Sequence, residues 1–208
     1  MIGVIDYKMG NLGSVMNALK FIGAEARLYD TPDGLEDCDA VIFPGQGAFR
    51  DCMKNCEQHG FVPTLKDWMA GGRPFLGVCM GLQLLFEDSE ESPGTAGLGV
   101  FPGRVKRFPG GCGMKVPQMG WNTVRQQQVE SPLFQGIADE SWFYFVHSFY
   151  IPFDGQEWAA GLTDFGLTYT SVLSCDNILA CQFHPEKSQS VGVQLLRNFV
   201  DWSQQRVE

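Results

Sequence analysis

Four short strand-like runs alternate with helical stretches in the first half of this chain, and that alternation restricts it to one broad architecture. Residues 1–5, 25–29, 39–43 and 74–78 read as strands, and 11–22, 47–58, 62–70 and 80–87 as helices, with Asn11 a candidate cap of the first. Repeated βα units imply a mostly parallel sheet with helices on both faces. After a polar, Pro/Gly-rich connector at Ser89–Gly97 the pattern changes. Strands are predicted at about 98–108, 114–125, 142–150, 157–162, 167–174 and 178–183. A last helix, about 188–203, carries Val191, Leu195, Leu196 and Phe199 at helical spacing. The expected fold is therefore α/β: a mostly parallel central sheet flanked by helices, with an antiparallel β extension. No internal repeat or long linker divides the 208 residues, so one domain over 1–208 is expected.

The most informative point in this pattern is Cys79. The apolar run Pro74-Phe75-Leu76-Gly77-Val78 stops there, and Met80-Gly81-Leu82-Gln83-Leu84-Leu85-Phe86 continues as a helix. Glycines two residues before and two after allow a sharp, strained strand-to-helix turn, a nucleophile elbow with sulfur in place of a hydroxyl. Such a turn exposes the side chain at a helix N-terminus, where the dipole and free amides favour a thiolate. A buried structural cysteine at a strand end would look the same in isolation.

A nucleophilic cysteine needs a base held by a third group, and the chain has three histidines. His59 lies at a polar helix end. His147 lies inside the aromatic strand Trp142-Phe143-Tyr144-Phe145-Val146 and fits a satisfied core histidine. His184 follows the apolar strand Asn177–Phe183 and opens His184-Pro185-Glu186. Side chains two apart on extended backbone face the same way, and Pro185 biases His184 towards that conformation. Glu186 can then fix the imidazole tautomer and stabilise the imidazolium. Cysteine and histidine both lie just beyond apolar strands, where sites form in open α/β sheets. A third such strand, 39–43, leads into Pro44-Gly45-Gln46-Gly47. The glycines there allow an amide to point into the site, and the Met80 amide would be a second oxyanion donor. On its own the Pro44–Gly47 segment is also compatible with an ordinary tight turn.

Composition excludes several functions. Fifteen basic against twenty-four acidic residues give a net charge of −9, which argues against nucleic acid or an anionic membrane as partner. No run of 18 apolar residues exists, so no membrane span is expected, and the N-terminal strand lacks a basic leader. Seven irregularly spaced cysteines fit a reducing cytosol, hence a cytoplasmic protein, rather than a disulfide framework. Cys52-x₃-Cys56-x₂-His59 has no matching second pair and is explained by the helix at 48–58, so no metal site is assigned. Cys112, among glycines with no preceding strand, reads as part of a flexible loop.

Gly77-Val78-Cys79-Met80-Gly81, His184-Pro185-Glu186 and Pro44-Gly45-Gln46-Gly47, in this chain, resemble the motifs of class I glutamine amidotransferases. The resemblance runs from Met1-Ile2-Gly3-Val4-Ile5-Asp6 to the final helix. Three further stretches resemble the glutaminase subunits of imidazole glycerol phosphate synthases, from histidine biosynthesis. They are Asp6-Tyr7-Lys8-Met9-Gly10-Asn11-Leu12, Lys115-Val116-Pro117-Gln118-Met119-Gly120-Trp121-Asn122 and His184-Pro185-Glu186-Lys187-Ser188-Gln189. The resemblance implies a Cys79, His184, Glu186 triad that hydrolyses glutamine through a cysteinyl thioester, without a cofactor. It implies a glutamine pocket formed by Gly45, Gln46, Gly47, Met80, Gln83 and the backbone of His147, Ser148 and Phe149. It also implies a heterodimer with a (β/α)₈-barrel cyclase subunit that receives the ammonia. Asn11, Trp121, Tyr144 and Lys187 lie in or beside the subunit-specific stretches and are expected at that contact. The alternative is a glutaminase serving anthranilate, pyridoxal phosphate or carbamoyl phosphate synthesis, and a catalytically dead module on the same fold is the reading from another class.

Overall fold

The computed structural model describes residues 1–111 and 115–206. Cys112 and the start of the strand expected from 114 lie outside the described residues. In chain order the elements are β1 (Ile2–Ile5), α1 (Leu12–Phe21), β2 (Ala26–Tyr29), β3 (Ala40–Gly45), α2 (Phe49–Gln58), α3 (Phe61–Ala70), β4 (Phe75–Cys79) and α4 (Met80–Gln83). There follow β5 (Phe86–Ser89), β6 (Phe101–Arg107), β7 (Gln118–Gln126), β8 (Ser141–His147), β9 (Phe149–Pro152), β10 (Ala159–Asp164), β11 (Thr168–Cys175), β12 (Ile178–Cys181) and α5 (Gln189–Gln204).

The main sheet runs β2-β1-β3-β4-β12-β11-β10-β7-β8. From β2 to β12 neighbours are parallel, and from β12 to β8 they are antiparallel. The expected architecture is thus present, and burial explains the division. Every residue of β1, β3, β4 and β12 is buried, as a strand covered on both faces must be. Alternate side chains serve opposite faces: Val41 and Phe43 join α2 and α3 in one core, while Ala40 and Ile42 join α1 and α5 in the other. Strands β7 and β8 bury only every second side chain or fewer, because one of their faces carries no helix layer.

Three expectations are corrected. The helix expected over 80–87 ends at Gln83, and 86–89 is strand. The backbone amides of Leu98, Val100 and Phe101 take the carbonyls of Leu84 and Leu85, so the returning chain replaces the next helical turn. Leu82, Leu84, Leu85 and Phe86 are all buried, and such an apolar run carries no periodicity to separate helix from strand. The strand expected over 142–150 breaks at Ser148: β8 pairs with β7, whereas β9 pairs with β11 and β6. Asn11 occupies the cap position of α1 but makes no capping bond to the backbone; its amide donates instead to Ser14 Oγ, 3.1 Å away.

Candidate active site

The site lies at the carboxyl ends of three adjacent parallel strands. Gly45 of β3 pairs with Cys79 of β4, and Val78 pairs with Cys181 of β12 on the other side. The chain leaving β3, Gln46-Gly47, and the chain leaving β12, Gln182–Glu186, therefore flank the cysteine. Cys79 itself carries the strain of the elbow, at φ 55° and ψ −105°, a conformation costing about 1–3 kcal/mol. Gly77 and Gly81 do not share that unusual φ. They are required by close approach: a Cβ on Gly81 would collide with the Phe43 carbonyl, and one on Gly77 would sit 2.7 Å from the Gly81 carbonyl oxygen. In the β3 turn only Gly47 has positive φ, at 120°, while a Cβ on Gly45 would strike the Tyr7 hydroxyl and Met80.

His184 is held from behind by β8. Its amide donates to the Tyr144 carbonyl at 2.9 Å, and its carbonyl accepts from Ser188 Oγ at 2.6 Å. Its Nδ1 meets Glu186 Oε1 at 2.8 Å, and both side chains are almost fully buried. A carboxylate on Nδ1 makes that nitrogen the donor and turns Nε2 towards the cysteine. Among the described residues Nε2 has no hydrogen-bond partner, so it is free for the reacting groups. Burial opposes charge on His184, but the facing Cys79 sulfur and the Glu186 carboxylate prevail and raise its pKa to about 10.

His147 is the opposite case. Its Nδ1 donates to the Phe149 carbonyl at 2.7 Å and its Nε2 lies 3.2 Å from the Tyr169 hydroxyl. Burial lowers its pKa to about 4, against the raising effect of the Phe149 carbonyl. His59 ends α2 with Nδ1 2.8 Å from the Asp30 carbonyl oxygen. Cys52 and Cys56 are enclosed in the core, and burial pushes both thiols up to about 12.

A cavity of about 410 Å³ opens over the cysteine. Of the residues singled out from sequence, Gln46, Gly47, Cys79, Met80, Gln83, His147, Ser148, Phe149, His184 and Lys187 line it. Glu186 and Gly45 stand behind this wall, around a small void that Asn11 also borders. Trp121 and Tyr144 lie outside the cavity as a cross-strand pair, ring centroids 6.1 Å apart and edge to face. Trp121 is 42% exposed, between Met119 and Trp142 at 65% and 57%.

Two residues of the site went unread in the sequence. Glu91 lines the cavity and, with Ser92, caps α2 from a distant loop: the Phe49 amide donates to Glu91 Oε2 at 2.8 Å and the Arg50 amide to Ser92 Oγ at 3.2 Å. Half-burial raises the Glu91 pKa, with the Phe49 amide opposing. Gln182, fully buried, places Nε2 3.7 Å from the Cys79 sulfur. A lone polar residue between Cys181 and Phe183 in an apolar strand was the available signal.

This arrangement can carry acyl transfer: a strained cysteine, an imidazole oriented by a carboxylate, and an open cavity with one acidic side chain in its wall. Residues 3–202 match the model of the glutamine amidotransferase class-I family. The chain is 46% identical over 202 residues to an imidazole glycerol phosphate synthase subunit HisH of Desulfitobacterium hafniense, covering 97% of this chain and 94% of that one. It is 47% identical over 200 residues to the HisH subunit of Thermosynechococcus vestitus, covering 96% and 95%. Its fold is similar to a crystal structure of a glutamine amidotransferase, with TM-score 0.75, 21% identity and 98% of each chain covered. The chain belongs to the class-I glutamine amidotransferases and, among them, to the family of imidazole glycerol phosphate synthase HisH subunits.

Proposed function

We propose that this chain is the glutaminase subunit of an imidazole glycerol phosphate synthase, with Cys79 as nucleophile, His184 as acid and base, and Glu186 as orienter. The observation that carries the roles is the meeting of a strained Cys79 with the buried His184–Glu186 pair at the ends of β4 and β12. Glutamine enters the cavity with its side-chain amide over the sulfur. Cys79 attacks the amide carbon, and the oxyanion is stabilised by backbone amides near Gln46 and at Met80. His184 gives its proton to the departing amine, so ammonia leaves and a glutamyl thioester remains. Water deprotonated by His184 then attacks the thioester, releasing glutamate and restoring the thiol. Glu91 is the acidic group in the cavity wall suited to the substrate α-ammonium. The buried Gln83 Oε1, without a partner among the described residues, is a further acceptor. The backbone at His147, Ser148 and Phe149 holds the amino-acid end.

The ammonia passes to a (β/α)₈-barrel cyclase subunit in a cytoplasmic heterodimer, which makes imidazole glycerol phosphate and aminoimidazole carboxamide ribonucleotide. The exposed apolar face of β7 and β8 supports a docking role for Trp121 and Tyr144; Lys187, in the cavity wall, and Asn11, beside the β3 turn, are assigned to the same contact on the resemblance. The deciding experiment is Cys79→Ala in the complex. Glutamine-dependent synthesis should vanish while synthesis from added ammonium salts persists; loss of both would refute the division of labour. A second measurement compares glutamine hydrolysis by the chain alone and with saturating partner and its ribonucleotide. The Gln46 turn must present an oxyanion donor worth about 2.7–4 kcal/mol, so the chain alone should be slower by roughly a hundred- to a thousand-fold. Full activity without the partner would sink that part of the reading.

A further inference from the structure

Gln182, to which the reaction above gives no role, sits at the centre of a buried amide relay. Its Nε2 donates to the Cys79 sulfur at 3.7 Å, and its Oε1 accepts from Gln83 Nε2 at 3.0 Å. Gln83 Nε2 also donates to the Phe149 carbonyl at 3.1 Å. These bonds commit the NH₂ group of Gln83 and leave its Oε1 as a buried acceptor with no partner among the described residues, on a side chain that lines the cavity. Gln182 is fully enclosed, and its backbone amide donates to the Ser171 carbonyl at 2.8 Å, so the side chain is aimed by a fixed strand end.

We propose that Gln182 is a positioning residue for the glutaminase reaction, its side-chain amide orienting and stabilising the Cys79 sulfur as thiolate and coupling it to occupancy of the glutamine pocket through Gln83. A neutral amide donor suits this role. A hydrogen bond to a charged acceptor is stronger than one to a neutral thiol, so the donor favours the attacking form without adding a charge that would compete with His184. The direction of the relay is fixed by chemistry. An Oε1 that already accepts from Gln83 forces the NH₂ of Gln182 towards the sulfur. Substrate bound at Gln83 Oε1 polarises the Gln83 amide and strengthens its bond to Gln182 Oε1, which in turn sharpens the donor facing Cys79.

The proposal rests on Cys79 being the nucleophile, and the test separates the two ideas. The full-length chain is alkylated with iodoacetamide across pH 5–9, and the Cys79 peptide is followed by mass spectrometry. Besides His184, the titratable side chains acting on the sulfur are Tyr7, Cys52, Tyr169 and Cys181. Burial raises all four above this window, while Glu91 and Lys187 line the cavity beyond them. Gln182→Met and Gln182→Glu, close in size to the original, should slow Cys79 labelling at pH 7 by about tenfold and move its profile to higher pH. In the complex with the synthase partner, kcat for glutamine should fall more than KM rises. Folded variants with the wild-type labelling profile would overturn the proposal while leaving the glutaminase reading intact. Alkylated wild-type enzyme that still hydrolyses glutamine would overturn both. A measurement on the native side chain guards against variants that fail to fold. In ¹⁵N-glutamine-labelled protein the Gln182 side-chain amide resonance should shift on Cys79→Ala, and an unmoved resonance refutes the contact.

Discussion

His184 and His147 are both hidden from water, yet the protein treats them in opposite ways. His184, in the turn after β12, faces a sulfur and a carboxylate, and its pKa rises to about 10. His147, at the end of β8, has Phe149 and Tyr169 as its partners, and burial takes it down to about 4. Depth alone therefore does not set the charge of a buried imidazole. What decides is the sign of the charge that shares the burial: His184 faces a sulfur and a carboxylate that raise it, whereas the charge acting on His147 is the His184 cation, which lowers it further. The two halves of the sheet differ likewise: Cys79 and His184 lie at the ends of parallel strands, and the antiparallel half contributes His147 and an exposed apolar face on β7 and β8.

The harshest way to break this contrast is to remove each imidazole in turn. His184→Ala should cost about 10²–10⁴-fold in glutamine-dependent kcat in the complex, the usual share of an acid–base group. His147→Ala should act chiefly on stability, by about 1–3 kcal/mol for the buried partners it abandons. Equal losses of turnover would dissolve the distinction. Next in size is Glu186→Gln, which keeps the shape but removes the charge that favours imidazolium. Its effect on kcat should be about one to two orders of magnitude smaller than that of losing the base itself, as for the orienting acid of other triads. A larger loss than in His184→Ala would mean that the carboxylate acts directly on substrate.

A gentler test uses pH and changes no residue. His147 holds its proton better when unfolded, where its pKa is about 6.5. Its contribution to stability is therefore complete above that value and lost as pH falls towards 4. His184 holds its proton better when folded. Its contribution is complete below about pH 6.5 and lost as pH rises towards 10. Urea unfolding across this range should give a curve falling on both sides, flattened on the acid side in His147→Ala and on the alkaline side in His184→Ala. Matching curves for the two variants would contradict the assignment. The smallest effect on the chemistry is expected from Trp121→Ala on the outer face. It should leave both histidines as they are, yet weaken binding of the cyclase subunit by about 2 kcal/mol, roughly thirtyfold. Affinity and the ratio of glutamate to acceptor product report it, and an unfolded variant would instead mark Trp121 as a core residue.

Whether a feature was legible in sequence depended on how local its cause is. Cys79 was legible because an apolar strand and two close glycines sit within five residues of it, although the glycines serve contact rather than φ. His184-Pro185-Glu186 was legible from its residue types, but the extended backbone expected there is corrected: only His184 is extended, and Pro185–Lys187 form a short 3₁₀ turn that brings the Glu186 carboxylate to Nδ1. The end of α4 was not, because the groups that stop it are amides of residues 98–101. Glu91 was missed for the same reason, since its cap on α2 spans 42 residues. The two faces of β7 and β8 were partly legible as alternation. Which face lacks a cover is a property of the whole sheet.

The order of strands carries a consequence for how the molecule comes into being. β12 lies between β4 and β11, although about a hundred residues of chain separate it from β4. During synthesis the segment bearing Cys79 emerges long before the one bearing His184, and the centre of the sheet stays an open slot until β12 is inserted. Closing that slot requires the most sequence-distant parallel pairing in the fold, which makes it a slow, late event. Until then Cys79 has no His184 beside it, so the proposed site and the centre of the sheet are completed in the same step.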